Sequence, residues 1–181
     1  AESRDGIHWE KPELGLIEFE GSKKNNIVMH PGMCGTHVDA GHVTVFKDPN
    51  PKCAAEARYK ALGWSWAEGQ PRGLLGFASA DGLHWNHEPR NPVSRIWGSD
   101  VLSLLYDAEL ERYVIYGRVP FAAESGNPAG DQWFTRHYPA QPNGWIPKRA
   151  IYRIESEDLL DWTEPKRVLA PGSFHNLDDQ F

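Results

Sequence analysis

A seven-residue string that occurs three times constrains the fold of this chain more than any other feature. It reads S-R-D-G-I-H-W at 3–9, S-A-D-G-L-H-W at 79–85 and S-E-D-L-L-D-W at 156–162. The period is 76 residues (79 − 3) and then 77 residues (156 − 79). Its Ser and Asp side chains can accept hydrogen bonds from nearby backbone N–H groups and close a turn. Each Trp is expected to cover its turn and pack between neighbouring sheets, which predicts a fold built from repeated units.

The segments between these turns have the pattern of short strands. Alternating polarity and many β-branched or aromatic residues predict strands at 42–46, 58–62, 74–79, 101–106, 112–118 and 149–154. Residues 107–111 predict a hairpin turn, and residues 56–62 are the best candidate for a helix. Several short strands per period, each series ending in the same turn, describe the blade of an all-β propeller.

The same residues resemble a known enzyme superfamily. The string at 156–162 is similar to the Ser-x-Asp-Leu-x-x-Trp turn of the five-bladed β-propeller glycoside hydrolases of families 32 and 43. Residues 46–51 (F-K-D-P-N-P), 58–62 and 106–118 are similar to uncharacterised family-32-like propeller proteins. The six-bladed sialidases carry Ser-x-Asp-x-Gly-x-x-Trp, whose Gly comes one residue later than the Gly of this chain. The five-bladed relatives are therefore the better match.

This resemblance implies that residues 1–181 form a partial five-bladed propeller of about two to three blades. Further chain, an oligomer or a second chain would then complete the ring. The implied activity is hydrolysis of an oligosaccharide or glycoside bound in the axial funnel. A non-catalytic carbohydrate-binding or assembly propeller is the alternative.

Glycoside hydrolysis needs paired carboxyl groups, one ionised and one held protonated. Asp48 follows an apolar strand within the family-like string D-P-N-P, and Asp100 precedes the strand at 101–106. Asp178 and Asp179 precede what the family would make the next strand, and at most one of them can face the axis. The alternative roles are a turn residue for Asp48, a strand-edge residue for Asp100 and a polar terminus for the last two.

Aromatic and basic side chains provide candidates for binding the saccharide. Trp97, Trp133 and Trp145 are the expected sugar platforms, because the Trp residues of the repeats are needed for packing. Arg118 and Arg149, on predicted strands, could contact the carboxylate or sulfate of an acidic sugar. Surface ion pairs are the alternative for both.

A segment rich in metal-ligating residue types suggests a third function, a metal-dependent hydrolase or lyase. Its spacing fits no zinc-finger signature, and an ordinary loop is the alternative. A structural or catalytic metal ion is the only cofactor that the sequence suggests. The candidate ligands are His30, Cys34, His37, Asp39 and His42. Cys34 and Cys53 could be free thiols or form one disulfide, which would favour an extracytoplasmic location.

Charge and hydropathy exclude other classes of partner. The formal net charge is −6, and no basic stripe of the kind that binds nucleic acid is present. No apolar run approaches the roughly 20 residues of a membrane span. A secreted or periplasmic location is expected in preference to the cytoplasm.

Overall fold

The computed structural model describes residues 1–65, 67–69, 73–95, 102–122 and 147–169, with backbone alone at 118–122 and 147–150. The described residues form two four-stranded antiparallel sheets and two single-turn 3-10 helices, Met33–Gly35 and Ala55–Ala57. This confirms the prediction of an all-β fold. Among the described residues no helix is long and apolar enough to cross a membrane.

The first sheet is an antiparallel meander in which strands adjacent in sequence are adjacent in space. Its strands are β1 (Thr44–Lys47), β2 (Tyr59–Ser65), β3 (Gly73–Ser79) and β4 (Asn86–His87). The candidate helix at 56–62 is wrong beyond the 3-10 turn, because β2 begins at Tyr59. Alternate side chains of β2 enter two different apolar clusters, so the strand buries both of its faces.

The second sheet repeats this meander. Its strands are β5 (Leu102–Asp107), β6 (Arg112–Ala122), β7 (Pro147–Ser156) and β8 (Lys166–Leu169). The predicted hairpin turn between β5 and β6 is confirmed. The Asp107 carboxylate closes it by accepting hydrogen bonds from the backbone N–H groups of Glu109 and Leu110, both at 3.0 Å.

The strands pair in the same register in both sheets. In the first sheet Tyr59, the first residue of β2, pairs with Ser79 at the end of β3. In the second sheet Tyr113 pairs with Ser156 at the end of β7. An Arg precedes both Tyr residues, and both Ser residues begin a repeat string. Each sheet is therefore one copy of the same structural unit.

The turns of the repeat strings have nearly identical geometry. Ser79 Oγ accepts a hydrogen bond from Gly82 N at 2.9 Å, and Asp81 Oδ1 accepts from His84 N at 2.8 Å. The turn that begins at Ser3 reproduces both distances. In the third turn Asp161 replaces the His, so the His–Asp side-chain contact is lost, and the hydrogen bonds of Ser156 and Asp158 to the backbone remain. The predicted turn chemistry is confirmed at all three positions.

The Trp residues of these turns differ in environment. Trp85 is 9% exposed and belongs to an apolar cluster, and Trp162 packs against the other cluster. Trp9 is 63% exposed. The expectation that every repeat Trp packs between sheets is wrong for Trp9, because the segment around it contributes no strand to either sheet.

One apolar cluster joins the two sheets face to face. Leu62, Trp64 and Leu74 of the first sheet pack in one cluster with side chains of the second. The partners include Leu104, Tyr113, Ile115 and Ile154. The opposite face of the first sheet packs under the segment that precedes β1, around Val38. The described strands form two open sheets and no closed ring, so the finer prediction of a five-bladed propeller is not shown.

Candidate functional site

Asp48 lies directly after β1 and is buried between the two sheets, with 1% of its surface exposed. Its Oδ2 atom accepts a 2.8 Å hydrogen bond from the hydroxyl of Tyr113 on β6. Its Oδ1 atom accepts a 2.9 Å bond from Asn50 N, and the Asn50 side-chain amide donates to the Tyr113 hydroxyl at 3.0 Å. These three residues form a closed hydrogen-bonded set across the junction of the sheets, with the Asn50 backbone N–H as one of its donors.

Lys60 provides the positive charge that a buried carboxylate needs. Its Nζ atom lies 3.4 Å from Asp48 Oδ2. It also donates to Ala57 O and lies 3.3 Å from the sulfur of Cys53. Burial raises the pKa of the Cys53 thiol, and burial with the hydrogen bond to Asp48 raises the pKa of Tyr113. Both groups are therefore neutral near pH 7 and act as hydrogen-bonding groups.

The shared register of the sheets gives Asp48 a counterpart. Lys47 pairs with Tyr59, and Tyr106 pairs with Tyr113. Asp48, directly after β1, and Asp107, the last residue of β5, therefore occupy equivalent positions at the end of the first strand of each sheet. Each carboxylate accepts a backbone N–H two residues ahead. Asp48 is thus a turn residue whose buried carboxylate joins the sheets. The common order of Asp followed by Arg-Tyr could have revealed this from the sequence.

The predicted binding residues on strands lie at the other end of the second sheet. Arg118 pairs with Ile151, and Arg149 pairs with Pro120. Arg118 is five positions beyond Tyr113 on β6, which corresponds to about 17 Å along a strand. The fold therefore does not bring these Arg positions together with Asp48. The remaining predicted site residues lie outside the described residues: Trp97, Asp100, Trp133, Trp145, Asp178 and Asp179.

The candidate metal ligands at 30–42 lie in separate local contacts. The ring of His30 contacts Pro31 O at 2.7 Å, and Cys34 donates to Trp85 O at 3.3 Å. His42 Nδ1 lies 2.6 Å from Asp39 Oδ2. In the part of the chain that the structure describes, no three His, Cys, Asp or Glu side chains are arranged to hold a metal ion. Both cysteines are free, so the disulfide is not formed.

Buried polar atoms without partners are a feature that the sequence did not indicate. The segment before β1 contains two of them, Thr36 Oγ1 and His37 Nδ1, and the end of β2 contains Ser65 Oγ. Thr36 is 6% exposed and Ser65 is 2% exposed. Polar groups buried in proteins are nearly always hydrogen-bonded, to other protein groups or to ordered water.

An open cleft lies between the segment at 93–95, which follows the first sheet, and the repeat turn at 156–162 of the second sheet. Its volume is about 450 Å³, and it is lined by Ser94, Arg95 and Trp162 together with Asp161 and Glu164. An exposed ion pair at 2.9 Å between Arg90 and Asp161 bridges the two sheets nearby. The lining carries both signs of charge and indicates no single class of ligand.

Comparison with known proteins gives little similarity. No protein-family model matches the chain, and no curated protein matches it. Two solved chains match, one of them in the crystal structure of an N-acetylgalactosamine deacetylase from F. plautii in complex with blood group B trisaccharide. That match has 17% identity and a TM-score of 0.32, and covers 70% of this chain and 52% of the other. The chain thus spans about half the length of this neighbour, and a TM-score this low does not establish a shared fold.

Proposed function

We propose that the two sheets are neighbouring blades of a five-bladed β-propeller that binds and hydrolyses a saccharide. The observation that carries this proposal is the repeated register: each sheet is a four-stranded meander whose third strand ends in the same turn. Propellers are built by radial repetition of four-stranded sheets around a central channel. The contact between β1 and β5, the first strands of the two sheets, also supports this arrangement.

The carbohydrate chemistry rests on the family-like strings at 46–51 and 156–162. Asp100, Asp178 and Asp179 are the proposed catalytic acids. Trp97, Trp133, Trp145, Arg118 and Arg149 are the proposed saccharide contacts. We assign Asp48 to the junction of the sheets, because its carboxylate is buried and hydrogen-bonded there.

Saccharide binding without hydrolysis is a second candidate function. The burial of Asp48 favours it, because this removes the acid that most resembles the family pattern from contact with substrate. A propeller of this kind would keep the aromatic platforms and lack the pair of facing carboxyl groups that hydrolysis requires.

A panel of aryl glycosides and of neutral and acidic oligosaccharides, tested for both turnover and binding, decides between these functions. Under the first, Asp100→Asn lowers turnover by about 10²- to 10⁴-fold and leaves the unfolding midpoint unchanged. Asp107→Asn is the matched control, since it alters the repeat counterpart of Asp48 and should retain turnover. Binding without turnover would establish the second function. Neither binding nor turnover across the panel would refute the proposal.

A further inference from the structure

The hairpin of β6 and β7 is longer than its counterpart in the first sheet. β2 and β3 pair over seven positions, the last of which is Ser65 with Gly73. β6 and β7 pair over ten positions, the last of which is Ala122 with Pro147. Both series begin at a repeat turn, so the second hairpin extends about 10 Å further from its turn. In the proposed propeller this extension lies at the rim of a blade, where a ligand can reach it.

The second sheet has one face turned away from the first sheet, which we call the outer face. Ile115 and Ile154 form a pair whose side chains pack in the cluster between the sheets. Successive residues of a strand belong to opposite faces, so every second pair of this hairpin lies on the outer face. These pairs are Tyr116 with Arg153, Arg118 with Ile151 and Pro120 with Arg149.

Three Arg positions meet on the outer face. Arg118 pairs with Ile151, and Arg149 and Arg153 are the residues two positions before and after Ile151. Diagonal neighbours of this kind are about 7–8 Å apart, which is within reach of long side chains. One small anionic group can therefore be shared by these three positions.

The Arg153 side chain is held by two neighbours on the same face. Its Nη1 atom donates to the Tyr116 hydroxyl at 3.4 Å, and its guanidinium carbon lies 5.8 Å from the centre of the Tyr116 ring. Its Nε atom lies 3.1 Å from Glu155 Oε1, and the side chain is 25% exposed. The guanidinium is thus oriented by the protein and partly open to solvent.

Positive charge is concentrated at this end of the second sheet, although the whole chain has a formal net charge of −6. The sequence of the strand segments 116–122, 147–153 and 166–169 contains no Asp or Glu. Such a concentration of one sign of charge favours an anionic ligand. The basic residues of these segments are Arg118, Lys148, Arg149, Arg153, Lys166 and Arg167.

The corresponding face of the first sheet has a different character. Aligning the two sheets on Tyr59 and Tyr113 places Arg118 at the position of Trp64. Trp64 packs in the apolar cluster between the sheets, whereas a guanidinium is costly to bury without an anionic partner. Guanidinium groups bind carboxylates and sulfates through paired hydrogen bonds. At the level of Arg118, the outer face is therefore suited to an oxyanion.

We propose that Arg118, Arg149 and Arg153 form a subsite for the carboxylate or sulfate group of an acidic saccharide. Tyr116 and Glu155 are positioning residues, because they hold the Arg153 guanidinium. The subsite deepens and rests on the proposed function, since it names the class of saccharide that is bound. It adds Arg153 to the saccharide contacts and places all three Arg residues on one face.

Calorimetry on three series of oligosaccharides of equal length tests this subsite: galacturonate oligomers, sulfated galactose oligomers and neutral galactose oligomers. One acidic series should bind at least about 10-fold more tightly than the neutral series, and that series identifies the anion. Arg118→Gln and Arg149→Gln should each weaken its binding by about 10- to 100-fold and leave binding of the neutral series unchanged.

Lys148→Gln is the matched control for Arg149→Gln. Lys148 pairs with Phe121 and therefore belongs to the other face of the same strand. The substitution removes the same charge from β7 and should change the affinity for the acidic series by less than about 3-fold. Thermal unfolding of each variant checks that it is folded.

Four results would overturn the subsite. Equal affinity for the acidic and neutral series would refute the subsite alone and leave the proposed function standing. A loss in Lys148→Gln as large as that in Arg149→Gln would show an effect of net charge and not of the outer face. Equally tight binding of a single-stranded oligonucleotide with the same number of charges would show a surface for polyanions in general. Binding of no saccharide, in these series or in the wider panel, would refute the proposed function and the subsite with it.

Discussion

Replacing Tyr113 by Phe tests how the two sheets are joined, because it removes one oxygen atom and retains the packed ring. The lost atom donates at 2.8 Å to the buried Asp48 carboxylate and accepts at 3.0 Å from Asn50. Hydrogen bonds to charged groups contribute about 1.5–3 kcal/mol, and the neutral bond to Asn50 adds about 1 kcal/mol. The ring contacts with Phe46 and Tyr106 remain. We therefore expect the free energy of unfolding to fall by about 2–4 kcal/mol.

Urea denaturation followed by Trp fluorescence measures this loss. Tyr59→Phe is the matched control, because Tyr59 has the same register in the first sheet and its hydroxyl makes no hydrogen bond to the described residues. It should change stability by less than about 0.5 kcal/mol. A double-mutant cycle with Asp48→Asn should give a coupling within the range of about 0.5–3 kcal/mol seen for residues in direct contact. A loss equal to that of the control, or no coupling, would refute the role assigned to the Tyr113 hydroxyl.

Three further predictions follow from burial and charge. Asp48→Ala leaves Lys60 without its buried counter-ion, so the free energy of unfolding measured with urea should fall by about 3–5 kcal/mol. Asp48→Asn should lower it less, and equal losses for the two variants would contradict this. Trp85→Ala should lower the free energy of unfolding by about 3–5 kcal/mol, and Trp9→Ala by less than about 0.5 kcal/mol, because only Trp85 is buried. Equal losses would contradict the difference in packing. Hydrogen bonds from His84 lower the pKa of Asp81 below its unfolded value near 3.8, so its stabilisation is present above about pH 4 and lost as pH falls. Acid titration of Asp81→Asn should therefore show a shallower loss of stability below pH 4, and an unchanged slope would contradict this.

The turns and strands were predicted well from the sequence, because such local structure depends on residues that are neighbours in the chain. The Ser and Asp hydrogen bonds of the turns and the hairpin at 107–111 involve side chains within three residues of their partners. Alternation and β-branching likewise predicted most of the strands. The helix at 56–62 was wrong because the pairing of β2 with both of its neighbours outweighs local propensity.

The candidate site depended on contacts between residues far apart in sequence. The carboxylate of Asp48 is buried by Tyr113, 65 positions later, so a turn residue and a catalytic acid could not be told apart from the string D-P-N-P. Aligning the two sheets on their Arg-Tyr pairs places Asp48 and Asp107 at equivalent positions, which identifies Asp48 as a turn residue.

A crystal structure of the protein with the oligosaccharide that it binds most tightly tests the central claim most directly. The predicted result is a sugar at the end of the second sheet that carries Arg118 and Arg149, in contact with at least one of the proposed saccharide residues. A sugar bound at the Asp48 end of the sheets, or away from both sheets, would contradict the account.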